Sequence, residues 1–298
     1  MSDVVLKEVR DDGVAVLTLN RPERLNAWTG ELEQTYFEML RECAASAAVR
    51  VIVVTGAGRG FCAGADMQSL QTLGDAVQGD ASADPGTNGA TPESFEHTPQ
   101  TFTLTVPKPV IAAINGPCAG IGLVQALMCD VRFVAEDAKL TTAFARRGLV
   151  AEHGISWILP RLVGPARALD LLLSGRVVLG REAVELGLAN RATPKETVLE
   201  ETLAYAHELA TQCSPASMAT MKRQVYAALD EGLPDAEAEA DRLMLASFSA
   251  PDFVEGVSSF VERRAPRFPP LASDEIARMR GAGDGDETTD DVLNLTRD

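Results

Sequence analysis

Three short runs of mostly branched and small apolar residues constrain this chain more than anything else in it: Val51-Ile52-Val53-Val54, Ile111-Ala112-Ala113-Ile114 and Val131 to Ala135. A strand with one face in water alternates apolar and polar side chains. Runs without that alternation read as strands buried on both faces, as in a parallel sheet covered by helices. Helical spacing separates them. Thr29 stands as an N-cap with Glu31 in the first turn, and Leu32, Tyr36, Met39, Leu40 and Cys43 recur at helical intervals through Ser46. A second helical candidate, Gly122 to Met128, lies between the second and third runs. The result is a β-then-α alternation from about residue 50 to residue 145, preceded by a hairpin in which Val4 to Val9 and Val14 to Leu19 flank Asp11-Asp12-Gly13.

Residues 74 to 92 break this order with Gly, Ala, Ser, Asp, Pro and Thr, a composition that buries too little apolar surface to offset the ordering of the chain, and they read as a mobile insertion. From Ile155 strand signals stop. Helical patterns follow at Ile155 to Leu162, Ala166 to Leu173, Arg181 to Leu186, Glu196 to Thr211, Ala216 to Leu229 behind Ser214-Pro215, and Glu237 to Phe248. The last 28 residues carry eight acidic against three basic side chains and read as a solvated tail.

Composition narrows the function classes. The net charge of −16 repels phosphate polymers and anionic lipid, so neither nucleic acid nor a membrane is expected as a partner. No apolar run approaches the length of a membrane span. The five cysteines lack C-x-x-C spacing and read as reduced thiols, and no secretory signal opens the sequence, which points to the cytoplasm. The three histidines lie far apart in sequence, so no metal site is expected.

Two segments have the makings of a reactive site. Gly56-Ala57-Gly58-Arg59-Gly60-Phe61-Cys62-Ala63-Gly64-Ala65-Asp66 follows one buried strand, and Asn115-Gly116-Pro117-Cys118-Ala119-Gly120-Ile121-Gly122-Leu123 follows another. In the first, the third glycine comes one place too early for a dinucleotide fingerprint, which weakens a nicotinamide-dehydrogenase reading. The segment does offer a backbone amide at Ala65 ahead of a helix start. Two such turns can aim two amides at one oxygen; each well-placed donor of this kind is worth ~2.7 to 4 kcal/mol when an oxyanion develops. The plainer alternative is that these glycines only let helices pack close to the sheet.

Phe61-Cys62-Ala63-Gly64-Ala65-Asp66, Asn115-Gly116-x-x-x-Gly120-x-Gly122, Met128-Cys129-Asp130 and the stretch from Glu255 to Arg264 together resemble the crotonase (enoyl-CoA hydratase/isomerase) superfamily, in order over roughly residues 5 to 268. The resemblance implies an α/β fold with a stacked ββα core and a C-terminal helical trimerisation region. It also implies self-association as a trimer or dimer of trimers, and a coenzyme A thioester as substrate with no permanently bound cofactor. On that basis residues 1–200 are the core with its insertion at 74–92, residues 201–270 the helical oligomerisation region, and residues 271–298 the acidic tail. The resemblance further implies that the amides of Ala65 and Ile121 hold the thioester oxygen, and that Arg24, Leu25, Ala27, Ala63, Asp66 and Arg263 meet the coenzyme.

The chain departs from the family where hydration is performed. Family hydratases place two glutamates, one in the helix after the second glycine turn and one beyond the next strand; the matching residues here are Val124 and Phe144, which line an acyl pocket but transfer no proton. A carboxylate does stand nearby at Glu152, eight residues past Phe144, where dienoyl-CoA isomerases of the superfamily carry an aspartate. One base suffices for an isomerase, since it removes an allylic proton and returns it elsewhere on the dienolate. Glu152 is therefore the candidate base, with His153 as its orienting partner or acid, and double-bond isomerisation of an enoyl-CoA the favoured reaction. The alternatives are hydration by non-standard residues and acyl-CoA binding without chemistry.

Overall fold

A computed structural model describes residues 3–67, 71 and 100–271. The insertion expected at 74–92 and the tail beyond Leu271 lie outside the described residues. In chain order the elements are β1 (Val5–Val9), β2 (Val14–Leu19), α1 (Gly30–Ala45), β3 (Val51–Gly56), α2 (Phe102–Thr105), β4 (Val110–Ile114), β5 (Cys118–Ala119), α3 (Ile121–Leu127), β6 (Val131–Ala135) and β7 (Lys139–Thr141). They continue with α4 (Ile155–Val163), α5 (Pro165–Ser174), β8 (Val178–Leu179), α6 (Gly180–Leu186), β9 (Arg191–Thr193), α7 (Val198–Gln212), α8 (Pro215–Ala227), α9 (Leu233–Ser247) and α10 (Pro251–Glu262).

The larger sheet has six strands in the order β1-β2-β3-β4-β6-β9. The opening hairpin pairs antiparallel, with Val5 opposite Leu19, and every later neighbour in this sheet is parallel. Gly13 supplies the left-handed residue of the hairpin turn at φ 84°, and the Asp12 carboxylate accepts the Val14 N–H at 3.1 Å.

The absence of alternation in the apolar runs now has its cause. Val51, Val53, Ile111, Ala113 and Phe133 face α7, where Val198, Ala206 and Ala210 cover them. Ile52, Val54, Ala112, Ile114 and Val134 face the opposite way, into a cluster with Leu32, Phe37 and Leu40 of α1 and with α3. Each large aliphatic side chain so buried stabilises the fold by roughly 1.5 to 3 kcal/mol, so a polar residue on either face would be costly.

A second sheet of three short strands, β5-β7-β8, lies beside the ends of the first. An isolated bridge between Cys62 and Cys118 connects the first glycine-rich turn to β5 of this sheet, and another between Trp28 and Ala65 connects the same turn to the loop before α1. The expectation that strands cease at Ile155 is corrected, since β8 and β9 follow it, and β5 and β7 also went unforeseen. Strands of two or three residues are too short to show a period of two. They are held by pairing with neighbours rather than by their own pattern.

The chain then leaves the sheet. Ser214 caps α8 by accepting the Ser217 N–H at 3.0 Å, with Pro215 at the first helical position. Helix α9 buries none of its residues, while Leu233, Leu245 and Phe260 are among the most exposed apolar side chains of the described chain.

Candidate active site

The site is assembled where β3 and β4 end. Gly56 closes β3 at a point where a β-carbon would stand 2.2 Å from the Gly60 oxygen, so only glycine fits the turn. Asn26, fully buried, holds that turn in place. Its amide donates to the Ala57 oxygen at 3.0 Å and the Gly60 oxygen at 2.9 Å, and its oxygen accepts the Arg21 N–H at 2.8 Å. Beyond the turn the chain pairs with residues 25 to 28. Ala63 N–H donates to Leu25 O, Trp28 N–H to Gly64 O, and Asp66 N–H to Trp28 O. In a parallel bridge of this kind the flanking residues make the bonds to Trp28, so the N–H of Ala65 itself faces away from that partner.

The second turn meets the first. Ala119 N–H donates to Cys62 O at 2.9 Å, and Gly120 N–H to Thr141 O at 3.1 Å. Gly120 adopts φ 50°, ψ −126°, a conformation glycine tolerates and side chains do not, and α3 begins immediately after it. The first three N–H groups of a helix have no partner within it, and that of Ile121 leads them. A β-carbon on Gly122 would fall 2.6 Å from Cys62 Cβ, and one on Gly64 3.2 Å from Ala119 O, so the glycines permit backbone-to-backbone approach of the two turns. A β-carbon on Gly120 would stand 3.8 Å from Gly64 Cα, so the residues that follow these two glycines, Ile121 and Ala65, lie on neighbouring stretches of backbone.

Val124 is fully buried on α3, and Phe144 is buried ahead of the 3-10 turn Ala145–Arg147. Glu152 is half-buried, with its carboxylate 3.6 Å from His153 Nε2. His153 and Gly154 are both left-handed, at φ 55° and 79°. A β-carbon on Gly154 would touch the Thr101 methyl at 3.0 Å and Met128 Cε at 3.3 Å, so the turn carrying Glu152 is pressed against α3's last turn and the approach to α2. Arg146 and Arg147, the nearest arginines to Glu152 in sequence, donate to Ser174 O at 2.8 Å and Ala143 O at 3.3 Å.

Of the residues matched to the coenzyme, Leu25, Ala27, Ala63 and Asp66 lie together along the paired segments, and Arg24 is exposed at the end of the 3-10 turn Pro22–Arg24. The Asp66 carboxylate meets the Arg21 guanidinium at 3.2 Å. Arg263 is exposed at the C-terminal end of α10, away from these segments in the chain. Asp130 is an anchor. It accepts the Val110 N–H and the Lys222 ammonium at 2.8 Å and the Tyr226 hydroxyl at 3.1 Å, tying α8 to the start of β4. Among the described residues no three His, Cys, Asp or Glu side chains gather as a metal site.

Sequence reasoning missed the buried polar residues Asn26, Gln100, Thr103 and Gln125, all without solvent exposure. A glutamine inside the otherwise apolar helix Ile121–Leu127 was the one visible signal.

The comparisons agree on the class of protein. A probable enoyl-CoA hydratase/isomerase from Mycobacterium abscessus, 34% identical, superposes with a TM-score of 0.78 over 90% of this chain and 99% of its own. An enoyl-CoA hydratase from Mycobacterium marinum, 48% identical, covers 76% of this chain and 98% of its own with a TM-score of 0.62. The architecture is the crotonase fold, with two sheets and C-terminal helices. The sequence model described as enoyl-CoA hydratase/isomerase matches residues 9–270, and the chain belongs to that family. Among curated relatives, a 1,2-epoxyphenylacetyl-CoA isomerase of Escherichia coli K12 is 35% identical over 269 residues, 90% of this chain and 99% of its own. A putative enoyl-CoA hydratase of Thermus thermophilus is 36% identical over 266 residues, 88% of this chain and 99% of its own.

Proposed function

We propose that this acyl-CoA enzyme moves the double bond of an enoyl-CoA through a thioester enolate. The amides of Ala65 and Ile121 hold the oxyanion, and Glu152 carries the proton between two carbons of the chain. The observation that supports this most is that Gly64 and Gly120, the residues directly ahead of the two amides, face each other. Val124 and Phe144 supply apolar walls where a hydratase would need two carboxylates, so water has no pair of groups to activate it there. In this reading Glu152 takes the C2 proton of a 3-enoyl-CoA and returns it at C4 of the dienolate, the reverse order serving a 2-enoyl-CoA. His153, in contact with Glu152, orients the carboxylate. The Escherichia coli relative is named an isomerase, though of an epoxyphenylacetyl-CoA and not of an enoyl-CoA.

In this reading Arg24, Leu25, Ala27, Ala63, Asp66 and Arg263 meet the coenzyme, and the five free thiols suit the reducing cytoplasm. The apolar side chains left exposed on α9 and α10 cover one another in a trimer or dimer of trimers. The test is turnover of 3-enoyl-CoA and 2-enoyl-CoA by wild type and Glu152→Gln. The substitution is expected to lower isomerisation by roughly 10²- to 10⁴-fold while leaving butyryl-CoA binding in place. Unchanged isomerisation would remove Glu152 from the mechanism. Hydration of 2-enoyl-CoA that outpaces isomerisation would favour the hydratase reading carried by the name of the Thermus relative.

A further inference from the structure

We infer that a buried polar bracket on α1 and α2 positions both oxyanion donors, an inference that rests on the roles proposed above for Ala65 and Ile121. Glu33 and Tyr36 stand three residues apart on α1, and Gln100 and Thr103 three residues apart at the entry to α2, so each pair shares one side of its segment. The Glu33 carboxylate accepts the Trp28 indole N–H at 2.8 Å and the Gln100 amide at 3.3 Å. The Gln125 amide donates to the Tyr36 hydroxyl at 2.9 Å and to the Thr103 hydroxyl at 3.0 Å. Edge-to-face packing of Trp28 on Tyr36, with centroids 5.7 Å apart, joins the two halves.

Each half ends on one donor. Trp28 is the residue whose backbone bridges Ala65, so fixing its indole fixes the strand from which the Ala65 N–H points. Gln125 lies one helical turn after Ile121 on α3, so fixing its carboxamide fixes the rotation and height of the helix that begins with the Ile121 N–H. The spacing of the two amides is thus set from a common support. Lys222 of α8 secures that support from behind by donating to Thr103 O at 3.1 Å.

The arrangement makes poor sense as packing alone. Gln100, Thr103, Gln125 and Tyr36 have no solvent exposure, and the side-chain oxygens of Gln100 and Gln125 find no hydrogen-bond partner. Leucine or methionine at these places would avoid that desolvation cost. Directional contacts hold a helix in register more sharply than apolar ones, which is what a pair of donors converging on one oxygen requires. Glu33, Tyr36, Gln100, Thr103 and Gln125 are positioning residues in this account; none of them is assigned a contact with substrate.

The experiment compares two ligands of equal length, acetoacetyl-CoA, whose bound enolate is followed by its ultraviolet band, and butyryl-CoA, which forms none. Glu33→Leu and Gln125→Met are expected to weaken acetoacetyl-CoA binding and its enolate band by roughly 10- to 100-fold, as misplacement of donors by a fraction of an ångström to an ångström does. Butyryl-CoA affinity stays within about twofold, and kcat for 3-hexenoyl-CoA falls with KM held. Glu33→Gln, which keeps an acceptor for Trp28, restores most of the loss. Tyr36→Phe retains the ring and the fold and shows the same selective effect in smaller measure. Equal weakening of both ligands, or no weakening in folded variants, overturns the inference. A wild type that binds butyryl-CoA yet raises no enolate band from acetoacetyl-CoA overturns the oxyanion assignment itself, and the bracket with it.

Discussion

A β-carbon placed on Gly120 would stand 3.8 Å from the α-carbon of Gly64, so the residues preceding the two candidate amide donors face each other with nothing between them. Both lie at positive φ, 50° and 101°, where an L side chain is strained. Gly64→Ala and Gly120→Ala are therefore expected to lower kcat/KM by roughly 10²-fold through misplaced amides. Gly164→Ala is the control. It carries the same backbone strain at φ 80° with open space around it, so it should cost stability, about 1 kcal/mol, and leave turnover unchanged. Steady-state kinetics beside thermal unfolding separates the two outcomes.

Asn26 joins the loop that begins at Arg21 to the first glycine turn through three hydrogen bonds inside a site without solvent. Asn26→Ala leaves two carbonyls and one N–H unpartnered, and Asn26→Asp cannot donate. Either should destabilise the fold by at least about 1 to 3 kcal/mol, read by denaturant unfolding. Stability within 0.5 kcal/mol of wild type, roughly the level of an ordinary surface change, would show that the turn holds itself.

Much of this architecture was legible because its signals are local. The runs at Val51 and Ile111 declared two-sided burial by lacking alternation, and Asp12-Gly13 marked the hairpin. The glycines at 64, 120 and 122 marked close backbone approach, though only the fold shows which backbones approach. What escaped is relational. Strands such as Val178–Leu179 exist only through their partners. The clamp formed by Glu33, Gln100 and Gln125 joins residues far apart in sequence, on a glutamate and two glutamines that look solvent-facing in isolation. The ion pair of Asp66 with Arg21 escaped for the same reason, since the partners are 45 positions apart.

Thiol chemistry should follow burial. Cys62 and Cys129 are fully enclosed and burial pushes each thiol up to about 12, while Cys118 is pushed well above its ordinary value by burial and by the neighbouring Cys62. Thiolate is the reactive form, so these three should resist iodoacetamide at neutral pH, and half-exposed Cys213 should be modified first. Mass spectrometry after timed labelling reads the order. Rapid labelling of Cys62 in the native protein would contradict the closed packing of the first turn.

The end of α10 should loosen in acid. The Arg264 guanidinium, aided by the Arg267 N–H, holds the Glu255 carboxyl down at about 2 from an ordinary 4.5. A carboxylate whose folded value is depressed adds stability that is full above its unfolded value and is lost as pH falls through the folded one. The thermal midpoint of wild type should therefore exceed that of Glu255→Gln above pH 4.5, with the difference closing toward pH 2. The pair lies near the surface, so the difference should be small and shrink with salt. A difference that grows as pH falls would contradict the assignment.

The central claim is that two backbone amides polarise one thioester carbonyl, and the vibration of that carbonyl reports it directly. Isotope-edited infrared spectra of crotonyl-CoA labelled with carbon-13 at C1 should show the C=O stretch of the bound ligand shifted below its value in water, as two short N–H donors in a water-poor site require. The shift should diminish in Gly120→Ala. A bound carbonyl at or above its frequency in water would contradict the account, because neither amide would then be acting on the oxygen.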